Sequence, residues 1–248
     1  MTRGHSHVLA GDGEFVVVRD PARPTGRLLR QDGMDSCYVD LADPRHLEFD
    51  YLRWARLVLR AARARTVVHI GAGACALARA LLADDPGSRQ LVYEVDARVL
   101  ALSRAHMGLR RQPGLRVRVG DGREGLRGRG EASADAVVID AFSDMRVPRH
   151  LVTVEALDEY ARVAPLTIVN VVDTAALTEA RTVAAGLGEV HTDVAALASP
   201  GRRGNVLLFA ANQVPDLLSI ESRAAGDRSP ARLLRATDLA GAPAWRDR

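Results

Sequence analysis

Four acidic residues close short strand-like runs along this chain, and a fifth follows one of them. Glu94 ends the run Leu91-Val92-Tyr93. Asp121 follows residues 115–119 within Gly120-Asp121-Gly122, Asp140 follows residues 136–139, and Asp173 follows residues 167–172. Asp144 lies just beyond, in Asp140-Ala141-Phe142-Ser143-Asp144. An ionised carboxylate only accepts hydrogen bonds, so such a row suits the hydroxyl, amino and ammonium groups of a ligand. Glu94 stands about 20 residues past the turn Gly71-Ala72-Gly73, the spacing at which an acid accepts from both hydroxyls of a ribose. Asp121, with the Gly122 backbone, is placed to read an adenine amino group. Asp140 and Asp144 suit a different task. An amine has a pKa of about 10 and is mostly protonated at neutral pH. A carboxylate beside it can orient the ammonium and accept its proton. Asp173 would be a secondary acid for the same cationic substrate.

These acids converge only if the runs that carry them are parallel strands, because ligands of open α/β sheets bind beyond the strands' carboxyl ends. Residues 66–70 (Thr-Val-Val-His-Ile) read as a buried first strand. Gly71 and Gly73 allow a sharp turn beside a ligand, and the alanine-rich helix that follows offers unpaired N–H groups at its start. The third glycine of a dinucleotide fingerprint is absent, since Ala76 occupies that place. Helices are expected over 99–109, 153–163 and 175–187. Strands over 189–197 and 205–210, joined by Ser199-Pro200-Gly201-Arg202-Arg203-Gly204, should form an antiparallel hairpin at one sheet edge. One wound half, acid-tipped strands and a terminal hairpin describe an α/β, Rossmann-like doubly wound sheet of the S-adenosylmethionine-dependent methyltransferase type. The lack of a second dinucleotide-binding half argues against a nicotinamide dehydrogenase. The lack of a lysine-bearing phosphate loop argues against an ATPase.

Ahead of this domain, residues 1–12 read as a lead-in without regular structure. Short strands over 14–18, 27–30 and 36–41 then form a small β appendage, residues 13–42. A helix should start with Asp43 as cap and Pro44 at its first position, carrying Leu47, Tyr51, Trp54, Leu57 and Val58 at helical spacing. It opens the main domain, 43–212. Residues 213–248 read as a polar, arginine-rich tail, irregular or weakly helical.

The 248 residues suit one sizeable domain with a small appendage, and 47% apolar with 26% charged residues is a soluble, globular balance. All 34 basic residues are arginine, so a lysine nucleophile or Schiff base is excluded. The net charge of +3 is mild, and the arginines are spread over helices and both tails without interleaved aromatics. No nucleic-acid partner is expected from that pattern. Cys37 and Cys75 are isolated, which suggests neither a disulfide framework nor a zinc site. No metal is expected. No apolar run reaches membrane-span length and the N-terminus lacks a signal-peptide apolar core, so a cytoplasmic protein without a membrane partner is expected.

From about Gly33 to Ala210 the chain resembles the spermidine synthase (polyamine aminopropyltransferase) family, in its divergent bacterial branch. The resemblance rests on the β appendage, residues 46–51 (HLEFDY), HIGAGA, YEVD, GDGRE, and IDAFSD followed by Val147-Pro148. It implies a donor of the S-adenosylmethionine type, either intact or decarboxylated, and a small amine acceptor such as a polyamine. It also implies ribose and adenine contacts from Glu94 and Asp121, a catalytic role for Asp140, a substrate-site role for Tyr51, and a homodimer through the N-terminal sheet. The chain departs from the family in four places. Ala74 stands where the family's glycine turn has an aspartate that pairs with the transferred aminopropyl chain. Leu52 replaces a glutamine, the loop after Asp140 has an extra residue before Asp144, and no tyrosine after Tyr160 matches the family's late substrate-binding one. Three readings follow: aminopropyl transfer to an amine, methyl transfer from intact S-adenosylmethionine, or an adenosyl-ligand-binding homologue without activity.

Overall fold

A computed structural model describes residues 7–71, 73–199 and 203–247. Residues 1–6, Ala72 within the glycine turn and 200–202 within the terminal hairpin lie outside the described part. Strands β1 (His7–Gly11), β2 (Phe15–Arg19), β3 (Gly26–Gln31) and β4 (Met34–Asp40) form an antiparallel sheet in that order. The lead-in therefore yields a strand from residue 7 onward. Asp32 and Gly33 join β3 to β4 with φ of 48° and 78°, the left-handed pair that a tight hairpin needs. Alternation sends Phe15, Val17, Leu29, Cys37 and Val39 to one buried face, which packs onto the main domain.

The main domain runs α1 (Asp50–Ala61), β5 (Thr66–Ile70), α2 (Ala76–Asp84), β6 (Arg89–Glu94), α3 (Ala97–His106), β7 (Leu115–Val119), α4 (Gly122–Arg127) and β8 (Ala136–Ile139). It continues through α5 (Val154–Val163), β9 (Leu166–Asp173), α6 (Thr178–Val190), β10 (Asp193–Ala198), β11 (Gly204–Ala211), α7 (Leu217–Ala225) and β12 (Arg232–Arg235). Eight strands make one sheet in the order β12-β10-β11-β9-β8-β5-β6-β7. Strands β5 to β9 are mutually parallel. The order reverses between β5 and β8, which is where a doubly wound sheet opens a crevice. Helices cover both faces, so the central strands read as continuous apolar runs. Trp54, Val58 and Leu59 of α1 fill one layer, and Leu126, Leu157, Tyr160 and Leu187 fill the other. The fold is thus the methyltransferase-type α/β sheet with a β sheet ahead of it.

Three local expectations are corrected and one element is added. The first helix begins at Asp50 rather than Asp43, because the Asp43 carboxylate accepts from the Arg45 N–H at 3.0 Å and holds a turn instead. Helix α4 lies in a stretch for which no element is expected, with the Asp121 carboxylate capping it through the Glu124 N–H at 2.9 Å. The terminal hairpin is not at the edge: β11 inserts antiparallel between β9 and β10, and β12 pairs with β10 outside it. The segment expected to be an irregular or weakly helical tail supplies a helix, α7, and also the strand β12 and a final strap. In that strap the Trp245 carbonyl accepts from the Val154 N–H and the Asp247 carboxylate takes two bonds from Arg123, at 2.9 and 2.6 Å.

Arg123 follows the glycine that starts α4 and is 5% exposed. Its guanidinium also donates to Glu159 and to the His150 carbonyl, so it ties α4, α5 and the C-terminus together. Removing one member of such a buried, charged network leaves its partners unpaired. Arg123→Met is expected to destabilise the fold by about 2–3 kcal/mol, lowering the thermal midpoint by roughly 5–10 °C. Asp247→Asn, on the exposed side of the pair, should shift it far less. Thermal unfolding of both variants checks this, and equal shifts would contradict the ranking.

Candidate active site

The carboxyl ends of β5, β6, β7 and β8 open into a cleft of about 320 Å3, roofed by the N-terminal sheet. The turn after β5 sets its floor. Gly71 has φ of 70°, and a Cβ there would stand 2.5 Å from the Asp140 carbonyl oxygen. At Gly73, with φ of 50°, a Cβ would strike the Cys37 side chain at 2.9 Å. Only glycine lets this backbone pass between the β8 end and the N-terminal sheet. Gly122 is equally constrained, since a Cβ would meet Ile70 at 2.5 Å.

Glu94, at the end of β6, is buried. Its carboxylate accepts from the Gly73 N–H at 3.2 Å and the Asp96 N–H at 3.1 Å, which fixes it beside the glycine turn. Asp121 lines the same cleft one strand further out. One of its oxygens caps α4, and the other meets His150 Nε2 at 2.8 Å. Burial pushes its carboxyl up, but the Glu124 N–H and His150 outweigh this and hold it below the usual carboxylate range.

Asp140 ends β8 directly opposite the glycine turn. Tyr51 Oη donates to its Oδ2 at 3.0 Å, and Asn170 Nδ2 donates to its Oδ1 at 3.0 Å. Burial raises its carboxyl to about 6, against the pull of those two donors, and nearby Glu94 adds to the rise. The group is thus ionised at neutral pH yet close enough to its pKa to exchange a proton. Burial and Asp140 push the Tyr51 phenol well up, so it stays a donor. His69, also in the lining, is driven down to about 4 by burial and is neutral, bonded to Gln90 at 2.9 Å. Cys37 lines the cleft as a neutral thiol, its pKa raised to about 11 by burial.

The geometry gathers Gly71, Gly73, Glu94, Asp121, Gly122, Asp140 and Tyr51 into the lining. It leaves out two residues expected there. Asp144 is exposed, in a turn with φ of 50°, and does not line the cleft. Asp173 spends its oxygens on the Thr174 and Ala180 N–H groups at 2.7 and 2.8 Å, which anchors the start of α6. Asp144 lies past the end of β8 in its own turn, and Asp173, the last residue of β9, is turned onto the backbone that follows it.

Asn170 and His150 are contacts that the motifs do not announce. Asn170 carried a faint signal, as the one amide inside the apolar run Leu166–Asp173. The roof residues Phe15, Gln31, Ser36 and Cys37 carried none, because only tertiary packing brings them over the turn. The Ala74 methyl is fully buried under that roof, and its N–H points at Cys37 Sγ, 3.4 Å away. Among the described residues, the cleft lining holds the carboxylates Glu94, Asp96, Asp121 and Asp140 and no arginine.

No family model and no curated protein matches the sequence. Among solved structures, the chain is similar to a probable spermidine synthase from Corynebacterium glutamicum, with 29% identity and a TM-score of 0.87 over 98% of this chain and 97% of that one. It is also similar to a spermidine synthase in complex with the transition-state analogue AdoDATO, at 16% identity and a TM-score of 0.65 over 88% and 77% of the two chains. Human methyltransferase-like protein 13 in complex with SAH matches at 22% identity with a TM-score of 0.57, over 68% and 85%. The chain therefore resembles the spermidine synthases over almost all its length, on a methyltransferase-type fold, and these neighbours are transferases.

Proposed function

We propose that this chain is a spermidine synthase-like transferase that takes an S-adenosylmethionine-type donor and alkylates a small amine, such as a polyamine. The observation that carries this reading is Asp140, held by Tyr51 and Asn170 opposite the glycine turn in a cleft of carboxylates. The cleft volume fits the lower end of small-molecule sites, about 300–1,000 Å3. Glu94 would hold the ribose, and Asp121 with the Gly122 backbone would meet the adenine edge. An adenosyl sulfonium supplies an electrophilic carbon and a neutral thioether leaving group.

The chain's own part is acid–base. Asp140 pairs with the acceptor's ammonium, takes one proton, and so frees the nitrogen lone pair to form the new C–N bond as the C–S bond breaks. The product amine regains a positive charge as the sulfonium loses its own, so total charge is conserved. Asp96 is already paired with Arg98 at 2.6 Å, but no guanidinium in the lining answers Asp140, which favours a cationic ligand beside it and supports the decarboxylated donor and aminopropyl transfer.

One observation favours the second reading, methyl transfer from the intact donor. Ala74 places a buried methyl where the resemblance calls for a carboxylate facing the aminopropyl amine. Calorimetric competition between the two donors separates these readings. The decarboxylated donor should bind at least about tenfold tighter, a difference of about 1.4 kcal/mol. A clear preference for the carboxylated donor would overturn the aminopropyl reading in favour of methyl transfer. Adenosyl binding without product from any amine offered would leave a binding protein.

A further inference from the structure

Five arginines surround one groove at the outer edge of the main sheet, away from the cleft. Arg104 is in the last turn of α3, Arg110 and Arg111 lie in the connection to β7, and Arg116 and Arg118 project from β7 itself. Strand β7 pairs with β6 on one side and ends the sheet on the other. The groove measures about 940 Å3 and shares no lining residue with the cleft.

All five arginines are exposed, and among the described residues none has an ion pair or a side-chain hydrogen bond. Other arginines, Arg23, Arg53, Arg56, Arg98 and Arg123 among them, are locked onto carboxylates. No acid lines the groove; the rest of its lining is Gln112 and apolar side chains. The chain's formal charge is +3, so setting these five aside leaves +3 − 5 = −2 for everything else. Five positive charges thus stand together at this edge with no acid in the lining among the described residues.

Folding does not call for this arrangement. Like charges around one groove repel, and the cost is recovered only when an anion neutralises them. Guanidinium groups match phosphate oxygens with paired N–H donors. The groove has no aromatic or histidine side chain on which a base could stack. Leu109 and Leu115 in its floor are 5% and 9% exposed, leaving little apolar surface to anchor a protein partner. What remains is repeated charge, the feature that recognises a phosphodiester chain. We propose that this groove binds the sugar–phosphate backbone of a nucleic acid without reading its bases.

The test is fluorescence anisotropy of a labelled DNA duplex with the full-length protein across about 50 to 200 mM salt. Five phosphate contacts would give a slope of log K against log salt of about −4 to −5, at about −0.9 per contact. Arg110→Ala/Arg111→Ala should weaken binding at least about tenfold and reduce the slope by about 2. The matching lysine variants should retain most of the affinity, and Arg223→Ala on α7, outside the groove, should retain all of it. Methylthioadenosine binding should be unchanged in every variant, because the cleft is separate. The proposal fails if the wild-type protein does not bind the duplex at the lowest salt, if the double alanine variant keeps the wild-type slope, or if polyglutamate competes better than the duplex.

Discussion

Asp140→Asn is expected to lower turnover of an accepted amine by about 10²- to 10⁴-fold, the usual worth of a positioned general base. Asparagine has the same shape and can still accept from Tyr51, so donor affinity should stay within a few-fold of wild type. Stability supplies the control. Burial raises the Asp140 carboxyl to about 6 in the fold, above the ordinary aspartate value near 4. A raised carboxyl pKa means that the folded state prefers the proton, so ionisation of Asp140 costs stability as pH rises from about 4 to about 6 and stays lost above that. The amide removes this cost, and the variant should unfold at the same or a higher temperature than wild type at pH 8. An inactive enzyme that is no less stable cannot be explained by damage to the fold.

The pH profile adds a second readout. Wild-type turnover should rise with pH through an apparent pKa near 6 as Asp140 becomes the base. Tyr51→Phe and Asn170→Leu each remove a donor that favours the ionised form. Both should move the acid limb to higher pH. Residues that merely packed beside the carboxylate would leave its midpoint in place. Wild-type turnover by Asp140→Asn would end the assignment of Asp140 as the base.

Glu94→Gln is expected to weaken the donor and methylthioadenosine alike by about 10- to 100-fold, since bonds to a charged acceptor contribute about 1.5–3 kcal/mol. The change leaves the volume intact and takes away charge and one acceptor beside the glycine turn. A double-mutant cycle isolates the claimed contact. Methylthioadenosine lacking its ribose 2′- and 3′-hydroxyls should bind wild type and Glu94→Gln with nearly equal affinity. If both ligands lose the same factor in the variant, Glu94 acts by shaping the turn through the Gly73 N–H and does not hold the ribose. Calorimetry measures both arms, and the Asp140→Asn protein serves as a comparison in which neither ligand should weaken.

These two residues also show how much of the site local sequence dictates. Glu94 and Asp140 were legible because each ends a parallel strand, and strand ends share a crevice by topology alone. Asp173 ends a strand too, yet its oxygens close onto the Thr174 and Ala180 N–H groups. The difference lies in the backbone after the strand, which no residue type announces. Asp144 was read as a partner of Asp140 from proximity in sequence, but the turn with φ of 50° directs it to solvent. The helix expected from Asp43 begins later for the same kind of reason, since a short acid can hold a turn as readily as it caps a helix.

Apart from α4, α7 and β12, the sequence by itself determined the order of strands and helices in the main domain, together with the glycine turn between Ile70 and Ala74 and the row of strand-end acids. Those features are local: they depend on period, on the absence of a Cβ and on the chemistry of single side chains. Tertiary structure alone decided which acids share the cleft, that Tyr51 and Asn170 grip Asp140 from α1 and β9, and that the N-terminal sheet roofs the turn over a buried Ala74. Each of these brings together groups distant in sequence or separated by turns, and their positions are set by the packing of whole elements on one another.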